Sequence, residues 1–240
     1  MIDVVLPLAK SRIDHLDLRF CLRSLERHVK NIRNIWIVGE PPSWIKNVNV
    51  IGFSDAIHLK WKEKNIMNKV QAACMNTSIT DDFFFINDDY VFLKDIDAAN
   101  YPYYYRGTCQ EAYDNNAGNP YRITTYHTLE FLKNRNFPDL CYDGHCPIVY
   151  NKKKFMQTFQ IKDINFETPY GYMIKTLYCA TNRIKGEYME DCKFQRSYPR
   201  EHLLKEMENR SVISHNEGPI KTDLGIILKE MFPKKSSYEK

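Results

Sequence analysis

The stretch that decides the fold turns from apolar to polar and back again: F-F-F-I-N-D-D-Y-V-F-L, residues 83–93. Its four leading apolar residues are typical of a short strand that is buried on both faces. This strand delivers Asn87, Asp88 and Asp89 to its carboxyl end. Adjacent carboxylates repel each other unless a cation joins them, so the pattern indicates a Mg²⁺ or Mn²⁺ site with oxygen ligands. The alternative is a polar turn in which Asn87 and Asp88 cap a reversal of the chain.

The residues before this stretch alternate between short apolar runs and amphipathic segments. The predicted elements are strands at residues 2–8, 35–38 and 48–51, and helices at residues 14–29 and 64–75. This order predicts an α/β fold with a mostly parallel central sheet flanked by helices. Ligands of such sheets bind outside the carboxyl ends of the strands. The chemistry is therefore expected at residues 8–12, 39–43 and 87–90.

The second half of the chain is less regular. We predict an extended tyrosine-rich segment at residues 101–105, a strand at 147–150, and helices at 152–159 and 224–231. A further helix is expected to begin at Thr124 or Thr125 and run to Leu132. Thr168 and Pro169 have the pattern of a helix N-cap and first helical position, which predicts a helix from there to about Cys179. Since no repeat or Gly-, Ser- or Pro-rich linker interrupts the chain, we expect one domain.

Composition excludes several classes of protein. The 240 residues are 43% hydrophobic and 27% charged, which are globular proportions, so collagenous and disordered classes are excluded. A formal net charge of +4 is too small to hold a polyanion by bulk charge, although it permits a local basic groove. The sequence has no membrane-span pattern and no signal-peptide pattern, and its seven cysteines include no C-x-x-C pair. We therefore expect a cytoplasmic protein with free thiols.

Several motifs together resemble one family. They are L-R-F-C-L-R-S-L at residues 18–25, the strand at 35–38, P-S-W at 42–44, N-D-D at 87–89, D-G-H-C-P at 143–147 and S-H-N-E at 214–217. They are similar to motifs of GT-A-type glycosyltransferases, in particular the Stealth group and the related capsular polysaccharide and phage glycosyltransferases. Stealth proteins open with V-D-G-S-D where this chain has L-P-L-A-K-S-R, residues 6–12, and Asn87 leads the metal motif here in place of an acid. Both departures favour plain glycosyl transfer over sugar-1-phosphate transfer.

The resemblance implies a GT-A-like, Rossmann-related single domain. Residues 1–100 would form the nucleotide-sugar-binding half, ending in the N-D-D metal motif, and residues 101–240 the acceptor-side half. The implied activity is metal-dependent transfer of a sugar from a nucleotide-diphosphate sugar to a hydroxyl of a glycan or of a modified DNA base. The alternatives are a Stealth-like sugar-1-phosphate transferase and, in another class, a non-catalytic nucleotide-sugar or nucleic-acid binding module.

The resemblance also implies a metal site. Asp89 would bind Mn²⁺ or Mg²⁺ directly, and His215 would complete the site as the late histidine that many such enzymes have. An imidazole suits Mn²⁺ better than Mg²⁺. Asn87 and Asp88 would hold the ribose and the donor sugar, or support the metal. The alternative for His215 is a surface or helix-capping histidine.

Contacts to the donor phosphates are expected from residues in or near the loop after the first strand. Pro7, Ser11 and Arg12 lie there, and an arginine can pair with phosphate through two donors. Lys69, on the helix before the metal strand, could offset diphosphate charge. A solvated loop and a solvated lysine are the alternatives.

Three residues are candidates for the base that deprotonates an acceptor hydroxyl. Asp143 and His145 share one segment, and Glu167 precedes a predicted helix start, where a carboxylate is also favoured as a cap. The sequence leaves the choice among the three open, and with it retention or inversion. The tyrosine run at 101–105, with Arg106 beyond it, could form a sugar-stacking wall or pack a loop against the protein body.

Overall fold

A computed structural model describes residues 1–9, 14–55, 62–161, 164 and 171–240, and strands alternate with helices in its first hundred residues. These elements are β1 Ile2–Pro7, α1 Leu16–His28, β2 Val29–Lys30, β3 Ile32–Val38, β4 Asn49–Ile51, α2 Lys62–Met75, β5 Asp82–Phe85, β6 Tyr90–Phe92 and β7 Ile96–Asp97. Later elements are β8 Tyr104–Tyr105, α3 Cys109–Asn115, α4 Tyr121–Asn134, β9 Ile148–Asn151, α5 Lys152–Phe159, α6 Ile174–Thr181, β10 Glu187–Tyr188, β11 Lys193–Phe194, α7 Arg200–Glu208, β12 Val212–His215 and α8 Asp223–Met231. Short 3-10 helices lie at Ala98–Asn100 and Pro219–Lys221.

A five-stranded sheet in the order β4-β3-β1-β5-β9 lies at the centre of the fold. The first four strands are parallel, with Val5 of β1 paired to Trp36 of β3 and to Phe85 of β5. Only β9, among these five strands, runs antiparallel, and its Ile148 pairs with Phe85. The predicted α/β fold with a mostly parallel central sheet flanked by helices is confirmed.

The two faces of β1 are covered by different helices, because successive side chains of a strand point to opposite faces. Val4 and Leu6 are fully buried in a cluster with Leu22 of α1. Val5 is buried in a second cluster with Val70 of α2 and with side chains of α5 and α6. The apolar runs predicted as strands are therefore apolar throughout because both of their faces are buried.

A smaller sheet, in the order β11-β12-β6, ties the carboxyl half to the N-D-D stretch. β12 runs antiparallel to β6, with Ser214 opposite Tyr90, and β11 runs parallel to β12, with Lys193 opposite Ser214. Residues far apart in sequence therefore meet at the point where β6 begins.

The last residues of the chain fold back against α1. Glu239 is 2% exposed and accepts hydrogen bonds from Arg23 Nε at 2.7 Å and Arg19 Nη1 at 3.0 Å. Burial disfavours the charged carboxylate, but the arginine hydrogen bonds outweigh it and lower the pKa of Glu239 to about 2. The segment that the sequence presents as a polar tail is thus a buried ion-pair cluster.

The predicted start of the helix at Thr124 or Thr125 is wrong. α4 begins at Tyr121, and both threonines are buried inside it. The Thr125 hydroxyl donates to Tyr121 O at 3.1 Å, so the side chain is satisfied by the preceding turn and does not cap a helix end.

The helices predicted at 152–159 and from Thr168 to about Cys179 agree with the structure to different extents. α5 has the predicted bounds, whereas α3 and α7 were not predicted. α6 begins at Ile174, after non-helical residues 171–173, so the predicted helix is shorter at its start. Thr168 and Pro169 themselves lie outside the described residues.

In the described part of the chain, no helix combines the length and the apolar character needed to cross a membrane.

Candidate functional site

A cleft with a volume of about 970 Å³ opens where β5 ends. Residues from both halves of the chain line it. Those that carry charge or hydrogen-bonding groups central to the site are Asn87, Arg106, Asp143, His145, Asp191 and Lys193. The structure therefore brings together three of the predicted site residues, Asn87, Asp143 and His145.

The N-D-D stretch forms the turn between β5 and β6. The Tyr90 amide donates to Asn87 O at 3.3 Å, and Asn87 Nδ2 donates to the Tyr90 hydroxyl at 3.4 Å. Asn87, Asp88 and Asp89 are all half-buried. The polar-turn interpretation is thus correct for the backbone, and it does not use the Asp89 carboxylate.

Asp89 and His215 each have a buried side-chain atom that finds no hydrogen-bond partner among the described residues. Asp89 Oδ2 accepts from the Ser214 hydroxyl at 2.9 Å, but Asp89 Oδ1 has no partner. His215 Nδ1 lies 3.1 Å from the Asn216 carbonyl, and His215 Nε2 has no partner. Asp89 precedes Tyr90 and His215 follows Ser214 of the Ser214–Tyr90 pair, and the charge of Asp89 acts on His215 and raises its pKa against the larger effect of burial.

These unfilled atoms have the chemistry of metal ligands. A carbonyl oxygen can only accept a hydrogen bond, so His215 Nδ1 carries the proton and Nε2 presents its lone pair. Burial lowers the pKa of His215, which favours the neutral imidazole that a metal requires. A buried polar atom without a partner costs about 1–3 kcal/mol, which a cation bound between the two residues would offset. Over the described ranges, no three Asp, Glu, His or Cys side chains form a metal cage.

A second histidine–aspartate pair, His145 and Asp191, lines the cleft. His145 Nδ1 lies 2.9 Å from both oxygens of Asp191, and the His145 amide donates to Asp191 Oδ1 at 3.0 Å. Arg106 Nη1 donates to Asp191 Oδ2 at 2.9 Å. Burial opposes ionisation of Asp191, but the hydrogen bonds and the charges of His145 and Arg106 outweigh it and hold the pKa of Asp191 well below its usual range.

Asp143 and Lys175 have structural partners. Asp143 Oδ2 accepts from the Thr176 amide in the first turn of α6, at 2.9 Å, so this carboxylate also caps the helix. The Lys175 ammonium is buried and donates to Gly144 O at 2.8 Å and to Cys146 O at 2.5 Å. These bonds fix the backbone on both sides of His145.

The predicted phosphate-binding residues are less informative. Lys69 does not line the cleft: it is buried and donates to Leu8 O at 2.6 Å, with Asp55 Oδ1 at 2.7 Å. Pro7 is the buried last residue of β1 and pairs with Val38. Ser11, Arg12 and Glu167 lie outside the described residues. The roles of these residues in donor binding or as a base stay predictions.

The tyrosine run packs against the protein body. Tyr101 is buried, with its ring centroid 5.3 Å from that of Phe84 and 5.6 Å from that of Tyr104. The Tyr103 hydroxyl donates to Val149 O at 2.9 Å. None of Tyr101, Tyr103, Tyr104 and Tyr105 lines the cleft, whose tyrosines are Tyr90, Tyr121, Tyr150, Tyr172 and Tyr188.

Sequence reasoning did not find Arg106 as a partner of Asp191, and it did not find Asp191, Lys175 or Lys193 at all. Asp191 is 46 residues from His145 in sequence, and its neighbours form no motif. A pairing at this separation depends on tertiary structure and leaves no local pattern.

No protein-family model and no curated protein sequence matches the chain. Among solved structures, the chain is similar to the apo crystal structure of mouse xyloside xylosyltransferase 1, with a TM-score of 0.43 and 13% sequence identity. The alignment covers 90% of this chain and 98% of that chain. At this similarity, a functional interpretation depends on the residues of the cleft itself.

Proposed function

We propose that the protein is a metal-dependent glycosyltransferase of GT-A type, which moves a sugar from a nucleotide-diphosphate sugar to an acceptor hydroxyl. The observation that carries this proposal is the pair of buried, unpartnered ligand atoms, Asp89 Oδ1 and His215 Nε2. They lie at the carboxyl end of a central parallel strand, where α/β sheets bind ligands.

Asp89 and His215 would hold Mn²⁺ or, less naturally for an imidazole, Mg²⁺. When bound, the cation would neutralise charge on the leaving diphosphate. Two protein ligands leave coordination positions for phosphate oxygens and water. Lys193 lines the cleft with its ammonium 3.8 Å from Asp89 Oδ2, and adds positive charge to the same region. Asn87 would donate to or accept from donor hydroxyls, and Asp88 would support this turn.

In this proposal the two halves of the chain bind different substrates. Residues 1–100 supply the donor side, ending in the N-D-D turn, and residues 101–240 supply most of the acceptor side. The cleft lining includes five acidic residues and three basic ones: Glu63, Glu111, Asp143, Glu190 and Asp191, against Arg106, Lys175 and Lys193. This balance repels a polyanion, so it supports a neutral hydroxylated acceptor such as a glycan over DNA.

A thermal-shift screen tests the proposal. UDP-glucose, UDP-galactose, UDP-xylose, UDP-N-acetylglucosamine and GDP-mannose are each added with and without MnCl₂. A ligand at a hundred times its Kd stabilises the native state by about 2.7 kcal/mol, so a true donor raises Tm and does so more with Mn²⁺.

The product then separates the alternatives. We expect release of a nucleoside diphosphate when methyl glycosides are supplied as acceptors. Release of a nucleoside monophosphate would mean that the protein transfers a sugar-1-phosphate and not a sugar. Binding of a nucleotide sugar that does not depend on Mn²⁺, with no turnover, would mean that the protein is a binding module and not an enzyme. A panel in which no nucleotide sugar changes Tm would overturn the proposal.

A further inference from the structure

Asp191 holds the His145 ring with more contacts than packing alone would need. Its two oxygens both approach Nδ1, and one of them also accepts from the His145 amide. The carboxylate is fixed in turn by Arg106, and the Asp191 carbonyl accepts from Arg210 Nη1 at 3.2 Å. Both the position and the orientation of the imidazole are therefore determined before any substrate binds.

This arrangement determines the tautomer of His145. Asp191 is held ionised, so it can only accept hydrogen bonds, and Nδ1 must be the protonated nitrogen. Nε2 then presents its lone pair. Across the described ranges, no hydrogen bond to His145 Nε2 is formed, and the side chain, 28% exposed, lines the cleft.

Burial and the charge of Lys193 keep the His145 ring neutral, and the neighbouring carboxylates keep it basic. Burial lowers the pKa of His145, and Lys193 acts in the same direction, whereas Asp191 and Asp89 oppose them. Arg106 faces Asp191 and not the ring, and the Lys175 ammonium bonds the carbonyls on either side of His145. A neutral imidazole whose carboxylate partner stabilises its protonated form is suited to accept a proton.

The other described candidate is less suited to this step. Asp143 lines the same cleft, but its Oδ2 already accepts from the Thr176 amide and caps α6. That bond ties the carboxylate to the start of α6, a structural role that His145 Nε2 does not have.

We propose that His145 Nε2 takes the proton from the acceptor hydroxyl, with Asp191 and Arg106 as its positioning residues, and that transfer proceeds with inversion. This inference rests on the proposed function. The acceptor oxygen forms a bond to the anomeric carbon as the bond from that carbon to the diphosphate oxygen breaks. The hydroxyl proton passes to His145, and the bonding pair leaves with the nucleoside diphosphate. No oxidant or reductant takes part.

The first test uses the full-length chain without substrate. The His145 ring is titrated by NMR in the native protein and in Asp191→Asn. Because the Asp191 charge raises the pKa of His145, we expect a lower pKa in the variant. An unchanged pKa would overturn the coupling on which the inference depends.

The second test measures transfer from the donor panel to methyl glycosides against pH. His145→Gln should reduce kcat by about 10²–10⁴-fold. Asp191→Asn should reduce kcat by at least about tenfold and move the acid limb of the profile to lower pH, while Mn²⁺-dependent stabilisation by the donor is kept. His202→Gln, at an exposed histidine, is the matched control and should behave as the native protein.

The outcomes separate the two proposals. An anomer of retained configuration, or a pH profile that Asp191→Asn leaves in place, would overturn the inference while the glycosyltransferase assignment stands. A panel with no donor bound or consumed would overturn both.

Discussion

Two histidine–aspartate pairs differ in how completely their atoms are bonded: Asp191–His145 lines the cleft, and Asp89–His215 adjoins the lining residues Tyr90 and Asn216. In the pair Asp89–His215, one oxygen and one ring nitrogen are buried without partners. In the pair Asp191–His145, both carboxylate oxygens and Nδ1 are engaged, and Arg106 closes the network. The same two residue types therefore occupy opposite states of hydrogen-bond satisfaction within one site.

The difference in hydrogen bonding assigns a different role to each pair, even though no ligand is bound. Unfilled buried bonding capacity costs stability unless something binds there, so it marks a ligand site. A network that fixes the orientation of a ring and leaves one ring nitrogen facing a cleft marks a group that is prepared for a reaction. The identity of the residues alone would give both pairs the same role.

The largest effect is expected at the unfilled pair. Asp89→Ala should remove Mn²⁺-dependent nucleotide-sugar affinity and several kcal/mol of transition-state stabilisation, roughly 10³-fold in kcat. Titration calorimetry with MnCl₂ and UDP, together with the transfer assay, measures both. Circular dichroism should show a folded protein, because Asp89 is half-buried and lies outside the core clusters.

Asp95→Ala is the matched control for this variant. Asp95 is an exposed aspartate that pairs with His28 and Lys30, away from the cleft, and its removal should leave affinity and rate unchanged. If Asp89→Ala binds Mn²⁺ and nucleotide as the native protein does, the contrast between the pairs fails.

A smaller effect, on stability alone, is expected at a filled cluster outside the cleft. Glu239→Gln leaves Arg19 and Arg23 without their buried partner and should lower the free energy of unfolding by about 3 kcal/mol. Urea denaturation measures the loss, and kcat should be unchanged.

The pH dependence of this loss follows from the lowered pKa of Glu239. Its stabilisation is fully present above about pH 4.5, its unfolded-state value, and is lost as the pH falls toward about 2. The difference in free energy of unfolding between the native protein and Glu239→Gln should therefore become smaller as the pH falls from about 4.5 toward about 2. The control Glu230→Gln breaks an exposed ion pair with Arg200, which solvent screens, and should lower the free energy of unfolding far less. Equal losses in the two variants would contradict the burial argument.

The smallest effect is expected at Lys193, which lies between the pairs. Its charge lowers the pKa of His145, so Lys193→Met should raise that pKa. NMR titration of the ring detects the change, and Lys229→Met, at an exposed lysine on α8, should produce none. A lowered pKa would mean that Lys193 does not act on the ring through its charge.

How much of the structure could be predicted depended on the range of the interactions. β1, α1 and α5 were predicted within one or two residues, because apolar runs and helical periodicity are local signals. α3 also has a local signal that was not used, the capping box of Thr108 and Glu111. The start of α4 was missed because its buried threonines resemble caps in sequence.

The site was predictable where a motif lay on one element. Asn87 and Asp89 follow a strand whose pattern is evident, and His215 was added only through a family resemblance. Asp191 and Arg106 lie 85 residues apart and meet only after β8 has paired with β10, which sets Tyr105 beside Tyr188. Such contacts depend on which strands pair, and residue patterns within a single strand do not specify that.

The reversed direction of β9 has a consequence for how the chain tolerates length changes. Because β9 runs against β5, the residues that precede it lie at the edge where β5 ends, which is how His145 and Asn87 come to line the same cleft. A single residue inserted between His145 and Ile148 would have to be absorbed by a bulge, or else β9 would shift along β5 by about 3.3 Å. A shift would also turn Ile148 and Tyr150 to the opposite face of the sheet. The two residues between them, Cys146 and Pro147, therefore form a spacer whose length is constrained as strongly as the identity of the residues it joins.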